Sequence, residues 1–148
     1  MLIARAWIAA HIPHQHDMCL LEQVLEWDEQ RLRCRAVSHR DPANPLRSHG
    51  RLAAVCGVEY AAQAMAVHGA LLASAQDAPR AGFLASIRNT ELHAERLDDI
   101  ASDLLVEAER FSGDANNILY DFSVRTQDRV LVTGRAAVVL NADVRSLF

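Results

Sequence analysis

Apolar and polar positions along the chain follow two different periods. From Leu52 to Gln76 the residues are mostly Ala, Val, Leu and Met, and Glu59 is the single acidic or basic side chain, histidine aside. A run of that length and composition predicts a helix buried on nearly every side. Before it, Met18 to Leu25 and Arg31 to Ser38 read as strands, joined by the polar stretch Glu26 to Gln30 as a hairpin. After it, Gly82 to Leu92, Asp103 to Phe111, Ile118 to Arg125 and Arg129 to Leu140 also read as strands. In Leu119 to Val124 the alternation sets Leu, Asp and Ser against Tyr, Phe and Val, which makes one face apolar. Ser112 to Asn117 and Thr126 to Asp128 mark the turns. The apolar N-terminus, Met1 to Ala10, is interrupted by Arg5 and lacks a basic leader, so it predicts a short docking helix and not a signal peptide.

The predicted order is short helix, two strands, long buried helix, then about four strands: an α+β chain forming one domain over residues 1–148. That order describes a curved antiparallel sheet wrapped around a central helix, the hot-dog architecture. A membrane-spanning reading of the central segment is set aside, because Glu59, Gln63 and His68 would each be costly in a bilayer.

Composition narrows the function. The chain is 51% hydrophobic and 23% charged, with a net charge of −4, which suits a folded domain and removes the basic footprint of a nucleic-acid binder. Every basic residue is arginine. Any cationic patch is therefore a guanidinium patch suited to phosphate and carboxylate. Cys19, Cys34 and Cys56 lie far apart with no C-x-x-C, which predicts a reduced, cytoplasmic protein without a zinc ribbon or disulfide framework.

Glu59 is the most informative residue. Small and apolar neighbours would leave its carboxyl poorly solvated, and desolvation favours the protonated form. One helical turn on, Gln63 projects to the same side and is expected to orient it. A structural ion pair to an arginine is the competing account. Histidines are the natural partners of such a carboxyl, and His11, His14 and His16 cluster while His49 precedes Gly50 at the approach to the helix. The cluster's spacing and lack of a cysteine or acidic partner argue against a metal site. His68, on the helix, is read as a hydrogen-bonded core histidine, and His93 as solvent-facing. Gly57 has two readings: an opening where helix N–H groups polarise a carbonyl, or close packing of helix on sheet.

Three segments together resemble the hot-dog-fold 3-hydroxyacyl-[acyl carrier protein] dehydratases. They are Ile12-Pro-His-Gln-His-Asp-Met-Cys-Leu-Leu21, Arg35-Ala-Val37 with Asn44-Pro-Leu-Arg-Ser-His49, and Val58-Glu-Tyr-Ala-Ala-Gln-Ala-Met65. The family's usual G-H-F-P segment is missing, since Gly50-Arg51-Leu52 follows His49. The chain looks closer to a divergent, ApeP-like branch associated with aryl polyene and polyketide-like lipid assembly. The resemblance implies that Glu59 works with a histidine base, His14 or His49, with His14 preferred because its motif is the more intact. It implies Gly57, Gln63 and Cys56 as substrate-contacting positions and no cofactor. It also implies a homodimer or higher homo-oligomer, and an acyl carrier protein delivering a phosphopantetheine-linked acyl chain, guided by arginines such as Arg47, Arg51 and Arg80. Two rival readings are an acyl-thioesterase on the same fold and a non-catalytic partner subunit of an active dehydratase.

Overall fold

The structure, a computed structural model, describes residues 2–13, 16–76, 82–114 and 117–140. A two-residue strand β1 (Ile3–Ala4) leads into helix α1 (Arg5–His11), followed by β2 (Gln23–Trp27), β3 (Arg31–Ala36), the central helix α2 (Gly57–Gln76), β4 (Gly82–Leu92), β5 (Leu104–Gly113), β6 (Asn117–Arg125) and β7 (Val130–Leu140). The strands form one seven-stranded sheet in the order β1-β2-β3-β5-β6-β7-β4, and every pairing is antiparallel. This is the expected α+β arrangement of a sheet around one long helix.

Register explains why the helix is wrapped so closely. Leu32, Ala108, Phe122 and Gly134 lie opposite one another across β3, β5, β6 and β7, a row facing the helix side. One residue along, Arg31, Glu109, Asp121 and Arg135 form the neighbouring row on the outer face, where Arg31 pairs with Glu109 at 3.2 Å and Arg135 with Asp121 at 3.0 Å. The period-two alternation read in β6 holds, with Ile118, Tyr120, Phe122 and Val124 all buried. Against this face α2 packs Tyr60, Ala61, Ala64, Met65, Val67 and Leu71. The predicted docking helix is α1, and it buries Ile8.

Several boundaries differ from the expectation for identifiable reasons. The central helix begins at Gly57 and not at Leu52, because Ala54–Cys56 form a 3-10 turn and the residues before it are held by the β4–β5 connection. There the Leu97 N–H bonds the Leu52 carbonyl at 2.8 Å, the Ala54 N–H bonds the Glu95 carbonyl at 3.0 Å, and the Asp98 carboxylate accepts the Leu52 N–H at 2.8 Å. The Arg96 guanidinium clasps that same carboxylate and holds it well below the usual carboxylate range. The strand expected from Met18 starts only at Gln23, since His16–Met18 is a 3-10 turn and the following residues are tied by side chains. Among the described residues no helix is long and apolar enough to cross a membrane.

Candidate functional site around the first turns of the central helix

Glu59 stands in the first turn of α2, but it is exposed in the single chain, contrary to the desolvated setting expected from its neighbours. The reason is geometric. The sheet covers the helix side carrying Tyr60, Ala64, Val67 and Leu71, while Glu59, Ala62, Ala66 and Ala70 lie on the opposite side and are less covered. An apolar sequence neighbourhood does not bury a residue that points away from the sheet.

Gln63 does not orient Glu59 through any hydrogen bond seen here. It is fully buried, its Oε1 accepts the Leu20 N–H at 2.9 Å, and its Nε2 donates to the Met18 carbonyl at 2.6 Å. It therefore staples the strap between α1 and β2 onto the helix. Gly57 packs closely against the sheet. A Cβ there would sit 3.0 Å from a Val132 methyl and 3.4 Å from a Val124 methyl, and the Gly57 N–H is spent on the Ala54 carbonyl of the preceding turn. It is not available to polarise a substrate carbonyl. Cys56 is half-buried beside the Leu46 carbonyl, and its thiol is pushed up first by burial and then by the Glu59 carboxylate. Cys56 and Glu59 thus share one neighbourhood.

His49 and Gly50 form the tip of a tight turn in which the Ser48 and Arg51 backbones exchange hydrogen bonds at 2.8 and 3.0 Å. Both tip residues have positive φ, 53° and 74°, the signature of a type I′ turn. His49 is consequently exposed, held in a conformation that non-glycine residues seldom take. Arg47 anchors the turn by donating to the His39 carbonyl at 3.0 Å and the Gly50 carbonyl at 3.3 Å, so it is committed to the fold, whereas Arg51 is exposed. His14 and Arg80 lie outside the described residues. His11 stacks on Trp7, His16 is exposed with φ 53°, and no cluster of metal-ligating side chains occurs among the described residues.

Two histidines are internal. His68 donates from Nε2 to the Asp28 carbonyl at 2.8 Å and takes the Tyr120 hydroxyl on Nδ1 at 2.7 Å, the hydrogen-bonded core role expected of it. Burial pushes His68 down and Tyr120 up to about 12. His39 is fully buried, bonding the Ile100 and Ser102 carbonyls through Nε2, and burial holds it in the neutral form. His93 is solvent-facing, as expected.

Sequence reasoning overlooked Tyr60, Ser38, Asn44 and Arg5. Tyr60 is fully buried with its hydroxyl 2.8 Å from Ser38 Oγ and 3.1 Å from Asn44 Nδ2, and Arg5 reaches the His16 and Cys19 carbonyls at 3.1 and 3.0 Å. A tyrosine next to Glu59 in an otherwise apolar helix was the available signal, since a buried phenol needs a partner. A cavity of about 440 Å³ opens elsewhere, on the outer face between Glu26, Arg33, Glu107 and Asp121. Its lining mixes these charged side chains with Trp27, Leu32, Ala108 and Phe122, and no residue of α2 contributes to it.

A search of curated proteins gives no match. Among solved structures, the dehydratase heterocomplex ApeI:P from Xenorhabdus doucetiae is 22% identical, with 95% of this chain and 94% of that one covered at a TM-score of 0.82. A mutant thioesterase from Pseudomonas aeruginosa is 11% identical over 93% and 94% of the two chains, at a TM-score of 0.67. A thioesterase from Haemophilus influenzae is 13% identical over 81% and 77%, at 0.60. These likenesses establish the hot-dog fold. The family model for ApeP-like proteins, described as ApeP dehydratase, matches residues 6–148, and the chain belongs to that dehydratase family.

Proposed function

We propose that this protein dehydrates 3-hydroxyacyl thioesters, carried on an acyl carrier protein, to trans-2-enoyl thioesters, with Glu59 as the acid. The observation that carries the proposal is family membership over residues 6–148 together with an acidic side chain presented, unpaired by any arginine among the described residues, on the uncovered side of α2. In the reaction a histidine takes the proton alpha to the thioester carbonyl and the electron pair moves to form the alpha-beta double bond. The beta C–O bond breaks, and the hydroxyl leaves as water with the proton of the Glu59 carboxyl. His14 is the preferred base and His49 the alternative.

A carboxyl that acts as an acid works best away from bulk water, and in one chain alone Glu59 is exposed. A partner subunit laid over the uncovered side of α2 supplies the missing cover. The heterocomplex of the Xenorhabdus doucetiae relative favours a different dehydratase chain as that partner, with a homodimer as the alternative. Of Arg47 and Arg51, Arg51 is the exposed one, placed to meet an acidic carrier protein.

Product analysis tests the reaction. The chain, alone and mixed with a dehydratase partner, is given a 3-hydroxyacyl thioester on carrier protein. An enoyl thioester supports the proposal. Free thiol and hydroxy acid would assign a thioesterase, the reading kept open by the thioesterase neighbours. Turnover by the partner alone at the rate of the mixture would make this chain non-catalytic.

A further inference from the structure

The hydrogen bonds beneath Glu59 form a single chain whose donors can be assigned by counting protons. The Leu20 carbonyl can only accept, so the Ser38 hydroxyl donates to it at 2.8 Å. Asn44 Nδ2 donates to the Tyr60 oxygen at 3.1 Å and also to the Ser38 carbonyl at 2.9 Å. With the Ser38 hydrogen spent, the 2.8 Å contact between the two hydroxyls runs from Tyr60 O–H to Ser38 Oγ. The Leu20 N–H then donates to Gln63, and Gln63 to the Met18 carbonyl. The chain runs Asn44, Tyr60, Ser38, Leu20, Gln63, Met18.

Its position links three parts of the site. Asn44 sits in the loop leading to His49, Tyr60 is the residue next to Glu59, and Met18 to Leu20 form the end of the strap that follows the Pro-His segment. Arg5 closes the far side of the strap through the His16 and Cys19 carbonyls. Tyr60 and Asn44 are both buried, so no water replaces a lost member without a cost.

We infer that Tyr60 and Ser38 are positioning residues that fix the strap after the Pro-His segment, and the loop leading to His49, relative to Glu59. They touch no substrate; they act through the backbone they hold. The inference rests on the dehydratase reading for its catalytic consequence, and on geometry alone for its structural one.

The test uses the full-length protein with whichever partner gives turnover, and compares wild type, Tyr60→Phe, Ser38→Ala and the double variant. Tyr60→Phe removes only the hydroxyl, and Ser38→Ala provides a second, smaller break in the same chain should the first fail to fold. Expected is a fall in kcat of about tenfold with KM unchanged, since small displacements of reacting groups cost rate more than binding. The double variant loses no more than the worse single one, because both cut one network. Hydrogen exchange at the Cys19 and Leu20 amides speeds up in each variant. Unchanged kcat and unchanged exchange overturn the inference. Should wild type itself fail to turn over, the dehydratase reading falls, and exchange alone still decides whether the chain holds the strap.

Discussion

Gln63 accepts the backbone N–H of Leu20 at 2.9 Å across a sequence separation of 43 residues, from a side chain with no exposure to solvent. Its amide nitrogen is equally committed to the Met18 carbonyl. Gln63→Ala leaves both backbone groups unsatisfied, so it should destabilise the fold by about 1–3 kcal/mol in urea denaturation. A Gln63 that merely oriented the exposed Glu59 carboxyl would lose activity at unchanged stability, and the two outcomes separate the roles.

Gly134 and Phe122 face each other across β7 and β6, and a Cβ on Gly134 would lie 2.5 Å from the ring of Phe122. The ring covers the strand where the glycine leaves a gap, a cross-strand pair that a methyl group would break. Gly134→Ala is expected to cost about 1–3 kcal/mol through overpacking. Gly57→Ala meets its tightest contact, a Val132 methyl, at 3.0 Å, against the 2.5 Å of Gly134→Ala, and gains helix propensity, so its melting temperature should move much less.

How much of this was legible in the sequence follows the physics of each feature. Strand alternation reports which face is buried, because it depends on local geometry alone, and Tyr120, Phe122 and Val124 are where the alternation puts them. The strand expected over Gly82–Leu92 is likewise observed with those bounds. Helix facing was not legible in α2: when nearly every residue is apolar, the period of 3.6 carries no contrast, and the outward direction of Glu59 was lost with it. The partners of Gln63 and Tyr60 come from residues far away along the chain, in contacts that no local pattern encodes.

Buried neutral histidines give a pH dependence whose sign is fixed. In the fold, burial lowers the pKa of His39 and His68 below the unfolded value of about 6.5. Below that value the unfolded chain binds protons that the folded chain does not, so stability rises with pH there. Their contribution is fully present above about pH 6.5 and declines as the pH falls below it. Protonated His39 would also place a buried Nδ1–H where no partner exists among the described residues. Denaturation midpoints should be flat between about pH 7 and 8 and decline toward pH 5, and His39→Gln should reduce the slope. Asp98, held low by Arg96, contributes in a separate window, lost only as the pH falls below the ordinary range of an aspartate.

Cys56 offers a probe of the Glu59 charge. Burial raises its thiol pKa first and the Glu59 carboxylate raises it further, so Glu59→Gln should lower it. Alkylation of Cys56 at about pH 8 is expected to be faster in Glu59→Gln than in wild type, because the thiolate is the reactive form. Cys34, fully buried and pushed up to about 12, should stay unmodified in both. Equal alkylation rates at Cys56 would mean that the carboxylate does not reach it.

The most direct test of the account is the rate at which trans-2-enoyl thioester is hydrated, followed by loss of enoyl absorbance, by wild type and by Glu59→Gln in the same subunit assembly. The account predicts turnover by wild type and a loss of at least about a hundredfold in Glu59→Gln, the contribution of a positioned acid. Undiminished turnover by a folded Glu59→Gln assembly would contradict it, and would move the chemistry to another residue or to the partner subunit.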